Sequence, residues 1–271
     1  MNVSRRGLTP SLPVILSIAR VSFFEILREK ILYITLMMTA LLMFLGFAAS
    51  RLFFIRPDRV ILDFGLSAVN ISMSILAILI AGYQIGREVD RRTIHIALVR
   101  PISRGQFLLG KFAGIKCILI LNWLLLSAGY VVILGLSSHE GFTEHLHATL
   151  FWALGLLLFQ SVVLAAVGIF LSTFTTAALS WMICTGFYLI GNNISQIRLL
   201  AIKTKNVFVA GSLNGLTWIF PNLEHFSLGT QVTYGLPIVT EAAVTAIVYS
   251  AVYSALVLLL AVLSVQKREL N

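Results

Sequence analysis

The chain has 271 residues, of which 58% are hydrophobic and only 11% are charged, and its mean hydropathy is +0.94. Soluble domains carry about 25% charged residues, so this composition excludes an ordinary soluble globular protein. The formal net charge of +9 indicates membrane orientation and contact with anionic lipid more than a nucleic-acid partner. The chain is therefore predicted to be an integral membrane protein.

The first predicted element is a helix over residues 12–30 that lies in the membrane interface. Its apolar side chains gather on one side of the helix, whereas Arg20, Arg28 and Glu29 fall largely on the other. Because Arg20 and Glu25 interrupt the apolar stretch and no small-residue cleavage site follows, a removed export signal is not expected. An ordinary solvated tail is the alternative interpretation.

Six apolar runs follow, each long enough to cross the hydrocarbon layer as a helix. The runs are continuously apolar, whereas β-barrel strands are shorter and alternate apolar with polar residues. The sequence therefore predicts an all-α membrane protein whose residues 1–271 form a single domain with six transmembrane helices. The predicted spans lie near residues 31–50, 66–85, 112–136, 146–171, 177–197 and 242–265.

Lys and Arg favour the cytoplasmic side of a membrane, so their positions predict the orientation of the chain. With a cytoplasmic N-terminus, fourteen of the twenty basic residues fall in inner segments, and the outer loop over residues 137–145 has none. Arg51, Arg56 and Arg59 in the first outer loop run against this trend. Both termini are therefore predicted to be cytoplasmic.

The stretch RGQFLLGK, residues 104–111, has the glycine and lysine spacing of a phosphate-binding loop. A working loop follows a buried strand, has small residues around the phosphate and carries Ser or Thr after its Lys. Here bulky residues fill the stretch and Phe112 follows Lys111, so the match is interpreted as chance and the chain is not expected to hydrolyse ATP. Lys111 and Lys116 are instead predicted to extend toward the inner membrane surface from the third span.

An inner loop over residues 87–105 joins the second and third predicted spans and is unusually rich in charge. Between its charges lies the run TIHIALV, which can form a short helix and ends before Pro101. The run is too short to span the membrane and too apolar for an idle loop, so we expect it to dock into a groove of another protein. A short helix that binds phospholipid is the alternative.

Three segments resemble one family of membrane proteins. In the inner loop, Gly86-Arg87-Glu88, Thr93 and the stretch LVRPISRGQFLLGK are similar to the signature of type-2 ATP-binding-cassette (ABC) exporter permeases. Arg92 stands where that family commonly has Gly. The segment FFEILREKILY resembles the elbow helix of the same family, and FPNLEHFSL, residues 220–228, is similar to the branch related to the nitrous-oxide-reductase maturation permease.

The resemblance implies the permease of an exporter that moves a hydrophobic or amphipathic substrate. Its architecture would have an elbow helix over residues 12–30, a cytoplasmic coupling helix in the loop 87–105, and outer interfacial or re-entrant helices within residues 198–240. The residues implied to couple the chain to an ATPase are Glu88, Asp90, Arg92, Thr93, Arg100, Pro101, Ser103 and Arg104.

The same resemblance implies the partners and the location of the chain. Two copies of a separate cytoplasmic ABC ATPase would bind ATP and Mg, and a second permease copy would form a homodimer. The chain itself would hold no cofactor and no catalytic residue. It would lie in the bacterial inner membrane, in contact with membrane lipids and without nucleic acid.

An ion-coupled carrier or channel is the first alternative function. Such proteins usually place ionisable residues near the middle of the membrane, but the polar residues within these spans are uncharged and Glu241 lies at the outer edge of the last span. This scarcity favours movement of a hydrophobic or amphipathic substrate by an external ATPase. The uncharged polar residues are Gln84, Asn122, Gln160, Asn192 and Asn193, of which the last three are expected to join helices more than to bind substrate.

A metal-dependent enzyme is the second alternative, because the outer stretch SSHEGFTEHLH combines imidazole and carboxylate groups suited to zinc or copper. His145 and His147 converge only on an extended backbone, and the helical signature of zinc proteases is absent from the stretch. A hydrophilic loop is therefore the favoured interpretation. The candidate ligands are His139, Glu140, Glu144, His145 and His147.

Overall fold

The computed structural model describes residues 12–50, 57–90, 103–137, 148–204, 206–234, 236 and 240–267. Within these residues the chain forms ten α-helices, one short 3-10 helix and no strand, which confirms the all-α fold class there. The helices are α1 (Leu12–Leu27), α2 (Lys30–Ser50), α3 (Pro57–Asp90), α4 (Arg104–Ser137), α5 (Ala148–Ser172), α6 (Ala177–Gly191), α7 (Ile194–Lys203), α8 (Val207–Ile219), the 3-10 helix Glu224–Phe226, α9 (Gly229–Tyr234) and α10 (Thr240–Lys267).

Five helices, α2, α3, α4, α5 and α10, are long and apolar enough to cross a membrane. Each coincides with a predicted span, but α3 and α4 extend beyond the predicted 66–85 and 112–136 at both ends. The added turns contain charged residues, which a search for apolar runs leaves out although a helix can continue through them. The segment that joins α3 to α4 is consequently reduced to residues 91–103.

The predicted fifth span over residues 177–197 is not one continuous helix. α6 ends at Gly191, Asn192 and Asn193 form a turn, and α7 begins at Ile194. At 1.5 Å per residue α6 is about 22 Å long, which is shorter than the roughly 30 Å hydrocarbon layer. The described residues therefore contain five helices long enough to cross a membrane and one shorter apolar helix, and a sixth span is not confirmed.

The long helices α3, α5 and α10 run in one direction and α2 and α4 in the opposite one; a Cβ on Gly168, near the end of α5, would lie 2.7 Å from Ala81 Cβ in the second half of α3. The end of the bundle where α3 stops and α4 begins is termed the loop end, and the opposite end is termed the far end. At the loop end, a Cβ placed on Gly105 of α4 would lie 3.6 Å from Val262 Cγ1 of α10. At the far end, the Arg59 guanidinium of α3 lies 5.0 Å from the centre of the Tyr234 ring of α9. Because a Cβ on Gly46, near the end of α2, would lie 2.7 Å from Phe64 Cβ near the start of α3, α2 also begins at the loop end. Hence α2 and α4 begin at the loop end, where α3 and α10 finish.

The helices α3 and α5 occupy the centre of the bundle. Two thirds or more of the residues in their spanning parts are buried, against a third or less in α2, α4 and α10. Trp181 Nε1 of α6 donates a hydrogen bond to Leu79 O of α3 at 3.1 Å. Ser180 Oγ, its neighbour, donates to Gly168 O of α5 at 3.2 Å. These two bonds attach α6 to both central helices.

The helices α3 and α4 are joined tightly at the far end. The hydroxyl of the fully buried Tyr130 in α4 donates a hydrogen bond to Leu62 O of α3 at 3.0 Å. The ring fits because residue 65 is glycine, since a Cβ on Gly65 would lie 1.9 Å from Tyr130 Cε2. This contact sets the separation of the two helices at that end.

Candidate functional site

The start of α4 borders the segment that the sequence predicts to couple to a partner. Ser103 and Gln106 form a capping box there. The Gln106 N–H donates to Ser103 Oγ at 3.3 Å, and the Ser103 N–H donates to Gln106 Oε1 at 3.2 Å. Because a helix cap of this kind is worth about 1 kcal/mol, α4 has a well-defined first turn next to the predicted coupling segment.

Lys111 lies two turns into α4 and is buried, with an exposed fraction of only 4%. Its Nζ atom donates a hydrogen bond to Gln84 Oε1 of α3 at 2.7 Å and lies 3.6 Å from Glu25 Oε2 of α1. The centre of the Phe107 ring lies 5.7 Å from the same Nζ atom. The predicted extension of Lys111 toward the membrane surface is therefore wrong, because its ammonium binds polar groups on two other helices. Glu25, Gln84 and Lys111 are termed the loop-end cluster.

The helix α1 packs closely against the first half of α4, because two glycines four residues apart leave room for it. A Cβ on Gly110 would lie 2.7 Å from Ile18 Cβ. Likewise, a Cβ on Gly114 would lie 2.7 Å from Ser22 Cβ. Small residues at this spacing allow close approach of membrane helices. Gly110, which belongs to the stretch with phosphate-loop spacing, thus lies inside a helix. There it lets α1 approach α4 closely enough for Glu25 to reach Lys111.

The structure describes part of the predicted set of coupling residues. Glu88 and Asp90 lie in the last turns of α3, and Arg104 is the first residue of α4, with their side chains outside the described part. Ser103 caps α4, as described above. Arg92, Thr93, Arg100 and Pro101 lie outside the described residues, as do the metal candidates His139, Glu140, Glu144, His145 and His147.

Within the described ranges, no group of three or more His, Cys, Asp or Glu side chains could hold a metal ion. The candidate ligands of residues 139–147 are not among them. The metal hypothesis for that stretch stays a prediction.

The amides inside the bundle connect helices. Gln160 Nε2 of α5 donates to Asn70 Oδ1 of α3 at 3.1 Å, which confirms the predicted role of Gln160 in joining helices. Asn122 of α4 is fully buried, and its Nδ2 lies 3.3 Å from Met73 Sδ of α3. Both amides therefore bind the central helix α3 and contribute to packing.

At the far end, the segment Phe220–Leu228 fastens α6 to α10. The Leu223 N–H donates to Gly191 O, the last carbonyl of α6, at 3.0 Å. The Asn222 N–H donates to the Tyr249 hydroxyl of α10 at 3.1 Å. The backbone N–H groups of the segment therefore hold it to both helices, through a carbonyl of α6 and a tyrosine hydroxyl of α10.

An apolar groove of about 450 Å³ lies between α2 and α4. Its walls are almost entirely apolar, with Met43 and Phe44 on α2 and Leu126 on α4 among the lining residues. The Thr39 hydroxyl, the polar group in the lining, donates to Thr35 O at 2.7 Å. The groove is suited to hydrocarbon and offers little to a charged ligand.

The capping box and the loop-end cluster were not predicted from the sequence. The capping box had a readable signal, because Ser-x-x-Gln at residues 103–106 is a pattern of helix starts. The sequence signal for the loop-end cluster was weaker, because it consisted of single polar residues near the ends of apolar segments. Its three side chains come from three helices, so only the fold shows that they meet.

The comparison with known families bears on this region. A family model described as ABC-2 family transporter protein matches residues 23–192. The match covers more than half of the chain, from the last turns of α1 to the turn after α6, and includes all three residues of the loop-end cluster. No curated protein matches the chain.

Proposed function

The chain belongs to the ABC-2 family of transporter proteins, and we propose that it is the permease subunit of an exporter driven by a separate ABC ATPase. The observation that carries the proposal is the family match across α3, the coupling segment and α4. Five helices able to cross a membrane fit a multi-pass subunit of this kind. ATP and Mg would be bound by the partner, and this chain would supply the path through the membrane.

In the proposed mechanism, residues 91–103 carry motion from the ATPase into the spans. The segment joins α3 directly to α4, so a partner that moves the segment moves both helices. The capping box gives α4 a firm start, and α6 holds α3 through Trp181. The residues proposed to contact the ATPase are Glu88, Asp90, Arg92, Thr93, Arg100, Pro101, Ser103 and Arg104.

The proposed assembly contains two permease copies and two ATPases in a bacterial inner membrane. The loop end would face the cytoplasm, with α1 as the elbow helix at that surface. α6 would supply a sixth crossing, because α5 finishes at the loop end whereas α10 begins at the far end. Both termini would then lie on the cytoplasmic side.

The proposed cargo is hydrophobic or amphipathic. The apolar groove between α2 and α4 and the uncharged amides of the spans support a cargo of this class. The similarity of the segment Phe220–Leu228 supports the proposed relation of the chain to the branch of the nitrous-oxide-reductase maturation permease.

The test is purification of the tagged chain in mild detergent, followed by assay of ATP hydrolysis in the recovered complex. We expect an ATPase subunit in equal amount with the wild-type chain. Glu88→Ala and Arg104→Ala should lose the ATPase or lower its activity. The matched control is Arg198→Ala, because Arg198 is exposed in α7 at the far end.

Two outcomes would contradict the proposal. A wild-type chain that purifies without an ATPase would favour the alternative of an ion-coupled carrier or channel. A loss of ATPase as large in Arg198→Ala as in Arg104→Ala would show that the effect is not specific to the coupling segment. The mass of the complex in solution also tests the two-to-two composition.

A further inference from the structure

We propose that Lys111 is a positioning residue that holds α1, α3 and α4 together, so that the three helices respond to the ATPase as one unit. The inference rests on the proposed function, and it adds to the predicted coupling residues one that is not among them. Lys111 would touch neither ATP nor cargo. Its part would be to transmit the motion of the coupling segment to α1 as well as to α3 and α4.

The geometry of the loop-end cluster carries this inference. Lys111 belongs to α4, its hydrogen-bond acceptor Gln84 to α3, and its ionic partner Glu25 to α1. The ammonium lies 2.7 Å from the amide oxygen and 3.6 Å from the carboxylate, so one side chain bridges three helices. Gln84 lies within two turns of the end of α3, and Lys111 within two turns of the start of α4. The bridge therefore borders the coupling segment on both sides.

Burial makes the bridge difficult to open. The exposed fraction of the Lys111 side chain is 5%, and that of the Glu25 side chain is 41%. An ammonium that loses its acceptors inside a bundle is strongly disfavoured, whereas a carboxylate at the edge can be solvated. Separation of α1 from α4 would break the ion pair with Glu25, and separation of α3 from α4 would break the hydrogen bond with Gln84. The cluster thus favours joint movement of the three helices.

The chain supplies a matched control in Lys116, five residues further along α4. Lys116 has the same chemistry but is exposed, with its Nζ atom 5.6 Å from the centre of the Phe112 ring. A general effect of removing a lysine from α4 should appear at both positions. An effect of the bridge should appear only at Lys111.

The experiment measures ATP hydrolysis by the complex purified through the tagged full-length chain, as kcat and KM. Lys111→Met should lower kcat about tenfold, within the range typical of coupling between two sites, while KM for ATP and the amount of ATPase recovered stay unchanged. The reason is that the ATPase binds ATP by itself but turns over only when the permease moves with it. Lys111→Arg should retain most of the activity, and Lys116→Met should behave as wild type.

A second variant covers the case in which Lys111→Met does not fold. Glu25→Gln removes the ionic partner at a half-exposed position and should also lower kcat at constant KM. If both single variants are recovered, the double variant should be no slower than Lys111→Met, because both substitutions break one bridge.

The measurements on these variants decide whether the Lys111 bridge has the proposed role. Wild-type kcat in Glu25→Gln, equal losses in Lys111→Met and Lys116→Met, or additive losses in the double variant would overturn the role of Lys111. In all of these cases the ATPase still accompanies the wild-type chain, so the proposed function stands. Failure of the wild-type chain to recover an ATPase would instead overturn the proposed function, and this inference with it.

Discussion

Gly114 lies in α4 where α1 crosses it, and the backbone of α1 occupies the space that a side chain would need. A Cβ at this position would lie 2.8 Å from Ala19 O, a backbone atom that cannot rotate away. Close approach of α1 to α4 therefore depends on the missing side chain. The loop-end cluster depends on the same approach, because Glu25 reaches α4 only from α1.

Gly114→Ala is predicted to destabilise the protein by about 1–3 kcal/mol, since overpacking forces the two helices apart. Gly155→Ala in α5 is the control, because a Cβ there has nothing within 4 Å. That substitution should leave stability unchanged or raise it slightly, as a helical Gly→Ala change normally does. Thermal unfolding in detergent, followed by tryptophan fluorescence, measures both. Equal melting temperatures for the two variants would contradict the packing argument.

Residues differ in how far the sequence alone predicts their roles. Ser103 and Gln106 interact within one helical turn, so their spacing is sufficient to predict the capping box. The position of Lys111 at the start of a span also follows from the sequence, but its environment does not. A lysine near a helix end can extend to the membrane surface or turn inward to a partner on another helix. From the sequence the first arrangement is expected, and the structure shows the second.

At the scale of secondary-structure elements, the break between α6 and α7 is the main departure from the predicted spans. The Asn192 and Asn193 side chains donate to carbonyl oxygens one turn back in α6, at 3.0 and 2.8 Å. The Gly191 carbonyl accepts the Leu223 N–H in place of a helical donor. The break thus depends on a segment about thirty residues further along the chain, whose position an apolar-run search over 177–197 does not consider.

The start of α7 is held by Glu224, which lies in the 3-10 helix. Its carboxylate accepts the Ser195 N–H at 2.9 Å and also the Ser195 hydroxyl. A carboxylate at the first turn of a helix satisfies an unpaired N–H and interacts favourably with the helix dipole. The cap therefore comes from outside the helix that it stabilises.

Glu224→Ala is predicted to loosen the first turn of α7. Loss of a cap costs about 1 kcal/mol, which corresponds to roughly fivefold faster amide exchange across that turn. Hydrogen exchange with mass spectrometry of the peptide over residues 194–203 measures it. Glu241→Ala, an acidic substitution in the exposed first turn of α10, should leave α7 unchanged. Unaltered exchange of α7 in Glu224→Ala would show that the carboxylate does not hold this helix.

At the scale of the whole molecule, spans are predictable but their arrangement is not. Membrane thickness requires about 20 apolar residues per crossing, so five of the predicted spans correspond to long helices. The central position of α3 and α5 is harder to predict from the sequence, because lipid-facing and buried side chains are both apolar. Leu164 in α5 is fully buried and Leu259 in α10 is 61% exposed, yet each is one leucine in an apolar run.

Leu164→Ala is predicted to destabilise the bundle by about 2 kcal/mol or more, because it leaves a cavity between packed helices. Leu259→Ala should have little effect, since lipid can fill the space that the side chain vacates. Unfolding of the purified protein by a titration with denaturing detergent compares the two. Similar losses for both variants would contradict the assignment of α5 to the centre and of α10 to the outside.

The two connections between α3 and α4 have a mechanical consequence. Tyr130 holds Leu62 at the far end, and Lys111 holds Gln84 at the loop end. Along α3 these contacts are about 33 Å apart, at 1.5 Å per residue. Two helices joined at two such distant points resist a change in their crossing angle, because such a change would break one of the two hydrogen bonds. We therefore expect α3 and α4 to tilt as one rigid body, so that a displacement of their loop-end termini also displaces their far-end termini.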